Sequence, residues 1–378
     1  MGRTGISIDD VRNDWQVLDG ESFTMPDEVK LISHEKFTGD TEIKVEYVEP
    51  GKIARSFSKI SILYWLFYAI RLFRLSDVKS VVIVNGGVTH LWIWCGLLNA
   101  FPIFGKRKLF CWDIFVEYIL GTEKRLKFFP FVKITTQRKE KLARFILKQY
   151  GLNVVWSKKQ VATHARHFNL PEHHFIFLPF KANHSKRETY DIPVGNFIFA
   201  GGNGKRDYKC LIEAVRGTDI PVIISATDPA VRKIIEPLPN VIVVSAPEPA
   251  FAQLQAASRF VVIPMIYSGL KGGGEANFCN AMWHKKPVIA VDSMAAEDYI
   301  QDGITGYVVQ SEDSTALRRR IIELWNEPNT CHNMGLVGHL HVKNNFTHVL
   351  FINRLIKLAS LYCTNNLTFK TPLTRVGE

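Results

Sequence analysis

Tyr267–Val291 reads YSGLKGGGEANFCNAMWHKKPVIAV, and the order of its parts sets the architecture. Three glycines, Gly272, Gly273 and Gly274, precede a helical run, a short basic break and the apolar VIAV. Glycine has no Cβ, so the chain can turn sharply there and bring several backbone N–H groups against one ligand. A helix opening near Glu275 would aim its unpaired N–H groups and the positive end of its dipole at the same spot, a natural phosphate site. Lys286-Pro287 is expected to end that helix, because the residue before a proline disfavours helical backbone angles. VIAV then enters a sheet core.

The same step repeats on either side. From Asn196 the chain runs FIFAGG, LIEAVRG, PVIIS, VIVVS, AFAQLQAAS, FVVIPM, and, past VIAVD, GITGYVVQ and STALRRRIIELWNEP. Strands alternating with helices predict a doubly wound parallel sheet with right-handed crossovers. In the N-terminal half, EIKVEYVEP suggests an edge strand. VKSVVIVNGG (78–87), followed by THLWIWCGLLNAF, makes half of a βαβ unit. KRKLFCWDIFVEY (106–118) adds a strand ending in Asp113, with Glu117 beyond and His90 in the preceding helical stretch. Acidic residues just past a parallel strand lie at the ligand-facing edge, or else cap a helix. Two such halves predict two Rossmann-like domains facing across a cleft. The boundaries are 1–180 for an acceptor-binding domain, 181–195 for a linker, 196–345 for a nucleotide-sugar domain, and 346–378 for a return helix and tail.

Length and charge constrain the rest. The 378 residues suit roughly two ordinary domains. Apolar content of 47% and charged content of 22% are those of a globular chain and exclude a disordered one. A net charge of +11 points to a negative partner: phosphorylated ligands, anionic lipid or nucleic acid. Nucleic acid is disfavoured, because no RNP, KH, zinc-finger or helix-turn-helix pattern accompanies the charge. Six scattered cysteines without a CxxC pair favour reduced thiols in a cytosolic compartment. MGRTGISIDDVRND lacks the apolar core of a signal peptide, and it carries no serine or threonine at position 6 for myristoylation.

Two basic, aromatic stretches leave alternatives open. RSFSKISILYWLFYAIRLFRL (55–75) has an uncharged run from Ile60 to Ile70, short of the about 20 residues a bilayer span needs. It reads as a membrane-surface helix or as a core helix covering a sheet. Gly121–Tyr150 carries nine Lys or Arg against two Glu, interleaved with Phe128, Phe129 and Phe131. An anionic membrane surface or a solvated helix face explains it equally. His164, His167, His173 and His174 raise a metal hypothesis that no neighbouring ligand pattern completes.

FIFAGGNGKRDYKCLIEA (197–214), the glycine stretch and DYIQDGITGYVV (298–309) together resemble the nucleotide-binding half of a GT-B glycosyltransferase. More narrowly, they resemble glycosyltransferase family 4, the large retaining family of "glycosyl transferases group 1" type. The resemblance covers most of residues 150–330, and VVWSKKQVATHARHFNLP looks like the last unit of that family's N-terminal domain. It implies an α/β GT-B fold whose C-terminal helix returns to the N-terminal domain. It also implies hexosyl transfer with retention from a UDP- or GDP-linked sugar, with no cofactor and no metal.

Residue by residue, Gly201, Gly202 and Arg206 match the family motif, with Leu211, Ile212 and Ala214 behind them. Arg206, aided by Lys205, would hold the diphosphate and offset its charge as it departs. Gly273, Gly274, Glu275, Ala276 and Asn280 complete the implied donor site. The family's paired glutamates fall on Gly272 and Asn280, and its N-terminal His-Asp appears as Trp112-Asp113. Asn280 could bond a ribose; Glu275 could reach the sugar; Asp113 would orient or deprotonate the acceptor hydroxyl.

The expected protein is thus a cytoplasmic glycosyltransferase peripherally associated with the inner face of a membrane. Its acceptor would be a membrane lipid, a lipid-linked precursor or an envelope polysaccharide precursor. The alternatives are a nucleotide-binding module without catalysis and a sugar-nucleotide epimerase, whose acidic catalytic cluster is not visible in the sequence.

Overall fold

The computed structural model describes residues 8–20, 30–37, 43–101, 103, 105–113, 125–126, 129–133, 135–266, 269–270 and 273–363. Glu117, Phe128 and Gly272 lie outside the described residues, and Phe129 and Phe131 are described as strand backbone alone. The chain divides into two compact units. Unit 1 comprises Met1–Val155, Val161–Leu178 and Ile352–Glu378; unit 2 comprises Trp156–Gln160 and Pro179–Phe351.

Unit 1 contains strands β1 (Leu31–Ser33), β2 (Val45–Tyr47), β3 (Val81–Asn85), β4 (Lys108–Trp112), β5 (Tyr150–Val155) and β6 (Phe175–Phe177). All pair in parallel, in the order β2-β1-β3-β4-β5-β6. The VVIV of β3 is buried on both faces, as expected of a parallel strand covered by helices. EIKVEYVEP supplies the edge strand β2, as its alternation suggests. The helices are α1 (Ile8–Asn13), α2 (Val17–Gly20), α3 (Lys52–Ser56), α4 (Ser61–Leu75), α5 (Thr89–Ala100), α6 (Thr136–Leu147) and α7 (Lys158–Phe168).

Helix α4 covers the sheet. Tyr68, Ala69, Leu72 and Phe73 are fully buried, and Tyr64, Trp65 and Phe67 pack on the same cluster. Burying each large apolar side chain is worth about 1.5–3 kcal/mol, enough to fix which face turns inward. Arg71, Arg74 and Leu75 remain exposed. His164 is likewise a core residue, set between the rings of Phe168 and Phe175.

Unit 2 contains β7 (Ile198–Gly201), β8 (Val222–Ser225), β9 (Val241–Val244), β10 (Val261–Ile263), β11 (Val288–Val291) and β12 (Gly306–Val309). They are parallel, in the order β9-β8-β7-β10-β11-β12. Counted from β7 this is 3-2-1-4-5-6, the doubly wound arrangement in which strand order reverses between the first and fourth strands. Its helices are α8 (Tyr208–Val215), α9 (Pro229–Lys233), α10 (Ala250–Ala257), α11 (Glu275–Trp283), α12 (Ala296–Tyr299), α13 (Ser314–Asn326) and α14 (Pro328–Asn345).

The last helix, α15 (His348–Cys363), places its residues from Ile352 onward in unit 1. There Arg354, 1% exposed, grips Asp19 with bonds of 2.8 and 2.6 Å and lies over the Trp15 ring at 4.2 Å.

Two expectations need correction. Helix α11 opens at Glu275 as read but stops at Trp283, before Lys286-Pro287. Lys285 takes a left-handed φ of 61°; its N–H donates to Met282 at 2.9 Å, and that of Lys286 donates to Ala281 at 3.0 Å. This reciprocal pair is a Schellman termination, and the proline arrives after the helix has already closed. The second correction is α14, eighteen residues of helix in a stretch where none was expected.

Candidate functional site

In a doubly wound sheet, ligands bind beyond the carboxyl ends of the strands, where the strand order reverses. In unit 2 that point lies between β7 and β10, and Arg206 is there. The chain leaves β7 through Gly202 at φ 123°, and Lys205 is left-handed at φ 49°. The loop is tied to the other side of the reversal: Asp207 N–H donates to Pro264 O at 2.8 Å, and Ile266 N–H donates to Lys205 O at 2.9 Å.

Arg206 is half-buried. Its Nε donates to Gly201 O at 3.1 Å, Nη1 donates to Gly204 O at 2.8 Å, and the guanidinium lies against the Met265 sulfur. Burial lowers the pKa of this guanidinium from its ordinary value, while Tyr208 and Glu275 act in the opposite direction. The result is a partly desolvated cation held in place by two backbone oxygens, a condition that strengthens its attraction for phosphate. Asp207 caps α8 by accepting from Cys210 N–H at 3.0 Å, and the Tyr208 hydroxyl donates to Gly202 O at 2.6 Å.

The second glycine turn closes on the same point. Gly274 is the N-cap of α11 at φ 93° and has no side chain to satisfy the first N–H groups of the helix. Those groups, at Glu275 and Ala276, have the geometry that suits an anion. A Cβ on Gly273 would stand 2.5 Å from the Met265 methyl, so the turn lies against the side chain that also supports Arg206. The Ser293 hydroxyl donates to Gly273 O at 3.3 Å and pins the turn.

The structure therefore gathers Gly201, Gly202, Lys205, Arg206, Gly273, Gly274, Glu275 and Ala276 about one carboxyl edge. Asn280 is more than a turn further along α11. It is buried, and its Oδ1 accepts from His184 N–H at 3.1 Å. His184 in turn bonds His284 at 2.9 Å and Glu248 at 3.1 Å.

In unit 1 the order reverses between β1 and β3. Asp113 follows β4 with a left-handed φ of 61°, a conformation aspartate tolerates better than most residues. His90 is in the first turn of α5. The sequence reading missed Glu35 and Asn85, which sit at the reversal itself. Asn85 Nδ2 donates to Glu35 Oε1 at 2.9 Å, while Asn85 Oδ1 accepts from Gly87 N–H at 2.7 Å. Behind them His34 is buried, and desolvation lowers its pKa to about 4.

Comparison with known proteins bears on the fold and on part of the sequence. Residues 209–327 match the family model described as Glycosyl transferases group 1. A stretch of 73 residues is 32% identical to EpsD of Bacillus subtilis (strain 168), a protein named as a glycosyltransferase; it spans 19% of this chain and 19% of EpsD. Among solved structures, sucrose-phosphate synthase from Thermosynechococcus elongatus aligns with a TM-score of 0.59 at 14% identity, over 85% of this chain and 81% of that one. HepE from Anabaena, solved with UDP-glucose, aligns at 0.56 and 14%, over 83% and 85%. The catalytic domain of starch synthase IV from Arabidopsis thaliana, bound to ADP and acarbose, aligns at 0.57 and 10%, over 80% and 78%. The fold is the GT-B α/β fold, two parallel six-stranded sheets flanked by helices.

Proposed function

We propose that this chain is a GT-B glycosyltransferase that moves a hexosyl group from a UDP- or GDP-linked donor to a hydroxyl acceptor. The observation that carries the reading is the convergence on one point in unit 2. A desolvated arginine, two glycine turns and the uncapped N-terminus of α11 meet where the strand order reverses. Arg206 and the α11 N–H groups bind the diphosphate and stabilise the charge that develops on it as the sugar departs. These donors cover the charge of the leaving group without a divalent ion. Glu275 is at the helix start beside Arg206 and reaches the sugar.

In unit 1, Asp113 orients or deprotonates the acceptor hydroxyl, with Glu35 held by Asn85 at the strand-order reversal as the second candidate. The acceptor is a membrane lipid, a lipid-linked precursor or an envelope polysaccharide precursor, and the chain works at the cytoplasmic face of a membrane. No helix among the described residues is long and apolar enough to cross a bilayer. Transfer proceeds with retention, the stereochemistry the family resemblance implies.

A second reading, a nucleotide-binding module without turnover, is favoured by Gly272 and Asn280 standing where the resemblance implies glutamates. The test is thermal stabilisation by a panel of nucleoside diphosphates and their sugars, followed by turnover with membrane extract. A ligand at 100 times its dissociation constant should add about 2.7 kcal/mol of stability. One nucleotide should shift the melting temperature, and Arg206→Ala should abolish the shift while leaving the fold intact. A shift without product formation selects the binding module, and an absence of any shift overturns both readings.

A further inference from the structure

Unit 1 holds a cavity of about 730 Å³ between α3 and α4, beside the carboxyl end of the edge strand β2. It shares no residue with the candidate donor and acceptor positions described above. Four cations line it, Lys52, Arg55, Arg71 and Arg74, against one carboxylate, Glu49. Arg55 pairs with Glu49 at 2.6 Å, and Arg71 Nε donates to the Glu49 backbone oxygen at 3.0 Å. Four cations less one anion leave a surplus of three positive charges.

The rest of the wall is apolar. Phe67 and Ile70 are half-buried, while Ile53 is 60% and Leu75 45% exposed. An exposed isoleucine and leucine beside lysine and arginine form a lining with two chemistries, suited to an anion that carries a hydrocarbon chain.

We propose that this cavity seats an anionic phospholipid of a bilayer surface. The phosphate lies among Lys52, Arg71 and Arg74, and the first methylenes lie against Ile53, Phe67 and Leu75. Nucleic acid fits the lining less well. A polyanion gains nothing from Ile53 and Leu75, and the one aromatic ring of the lining, Phe67, is half-buried with a face already stacked on Phe57 at 5.2 Å, a poor platform for bases. The site deepens the reading of a membrane-borne acceptor and rests on it, because it holds unit 1 at the surface where such an acceptor resides.

The experiment is co-sedimentation of the full chain with phosphatidylcholine vesicles, with and without phosphatidylglycerol. Each cation at an anionic surface contributes a factor of about five to partitioning, so the charge reversal Lys52→Glu should weaken binding by roughly 25-fold. Ile53→Ser, at a position that is exposed like Lys52, should weaken it at unchanged charge, and inorganic phosphate at constant ionic strength should not displace the wild-type protein. Unaltered binding of either variant overturns the proposal. So does complete displacement by phosphate, which would leave only an anion site, and so does failure of the wild type to bind the anionic vesicles.

The nucleotide-dependent thermal shift, measured on the same samples, reports on unit 2 separately. Vesicle binding without a nucleotide shift would sink the transferase reading and leave the lipid site standing. The converse would sink the site alone.

Discussion

Gly202 shows how tightly the arginine of unit 2 is specified. Its φ of 123° is a conformation that side chains rarely adopt, and a Cβ there would lie 2.8 Å from Arg206 Nη2. Gly202→Ala is therefore expected to strain the loop by about 1–3 kcal/mol and push the guanidinium off its aim. Nucleotide affinity measured by calorimetry should fall about tenfold or more, at 1.4 kcal/mol per decade. Gly204→Ala is the control, since nothing lies within 4 Å of the added Cβ; equal losses in both variants would contradict the argument. Arg206 and its glycines were legible in the sequence because they fall within six residues of one another, in a loop whose local chemistry is distinctive. Met265, which supports the arginine from 59 positions away, was not, and nor was the Glu35–Asn85 pair, 50 positions apart. These contacts are made by strand order, which no local pattern encodes.

At the scale of elements, the informative case is α14, a helix hidden from pattern reading by the residues that make its packing possible. Gly335 and Gly338 lower helix propensity by about 1 kcal/mol each and weaken the amphipathic signal. Yet a Cβ on Gly335 would stand 2.1 Å from the Lys285 backbone oxygen, and one on Gly338 would stand 3.2 Å from the Met282 side chain. The glycines let α14 press against the closing turn of α11, whose opposite end carries the proposed diphosphate site. Gly335→Ala should raise propensity and still destabilise the protein, by about 2–3 kcal/mol, since the obstructing atom is backbone and cannot rotate away. The reverse change is expected at the residue Gly335 packs against. Lys285 is exposed and left-handed, so Lys285→Gly should stabilise by up to about 1 kcal/mol through the Schellman turn. Urea unfolding of the two variants should move the midpoint in opposite directions, and a stabilising Gly335→Ala would show that α14 does not need this approach. Helix α4 was half legible for a different reason. Its composition is apolar and aromatic throughout, so only the packed structure distinguishes the sheet-facing side from the cationic edge along the α3 cavity.

For the whole molecule, two alternating α/β series were readable because parallel strands advertise themselves as short runs buried on both faces. The strand orders, and the acid sensitivity that follows from what each unit buries, came from the structure. His34 in unit 1 and His284 in unit 2 are both buried, and desolvation lowers their pKa values to about 4 and about 3. His184 reinforces the effect at His284, as do the nearby charges of Lys286, His339 and Arg187. An unfolded histidine titrates near 6.5, so between that value and the folded pKa the unfolded chain holds a proton that the native chain does not. Stability is therefore complete above pH 6.5 and falls as the pH drops, by about 1.4 kcal/mol per unit for each histidine. From pH 6.5 to pH 5 each should cost the fold about 2 kcal/mol. Denaturant unfolding at pH 7 and pH 5 measures the sum over all such histidines, His348 of unit 2, also lowered to about 4 by burial, among them, and His284→Gln, which cannot take up a proton in either state, should remove the share of His284 from the acid arm. A variant that loses stability with the same slope as wild type would mean that His284 is not the group that titrates, and that the bond network around His184 has another source of acid sensitivity.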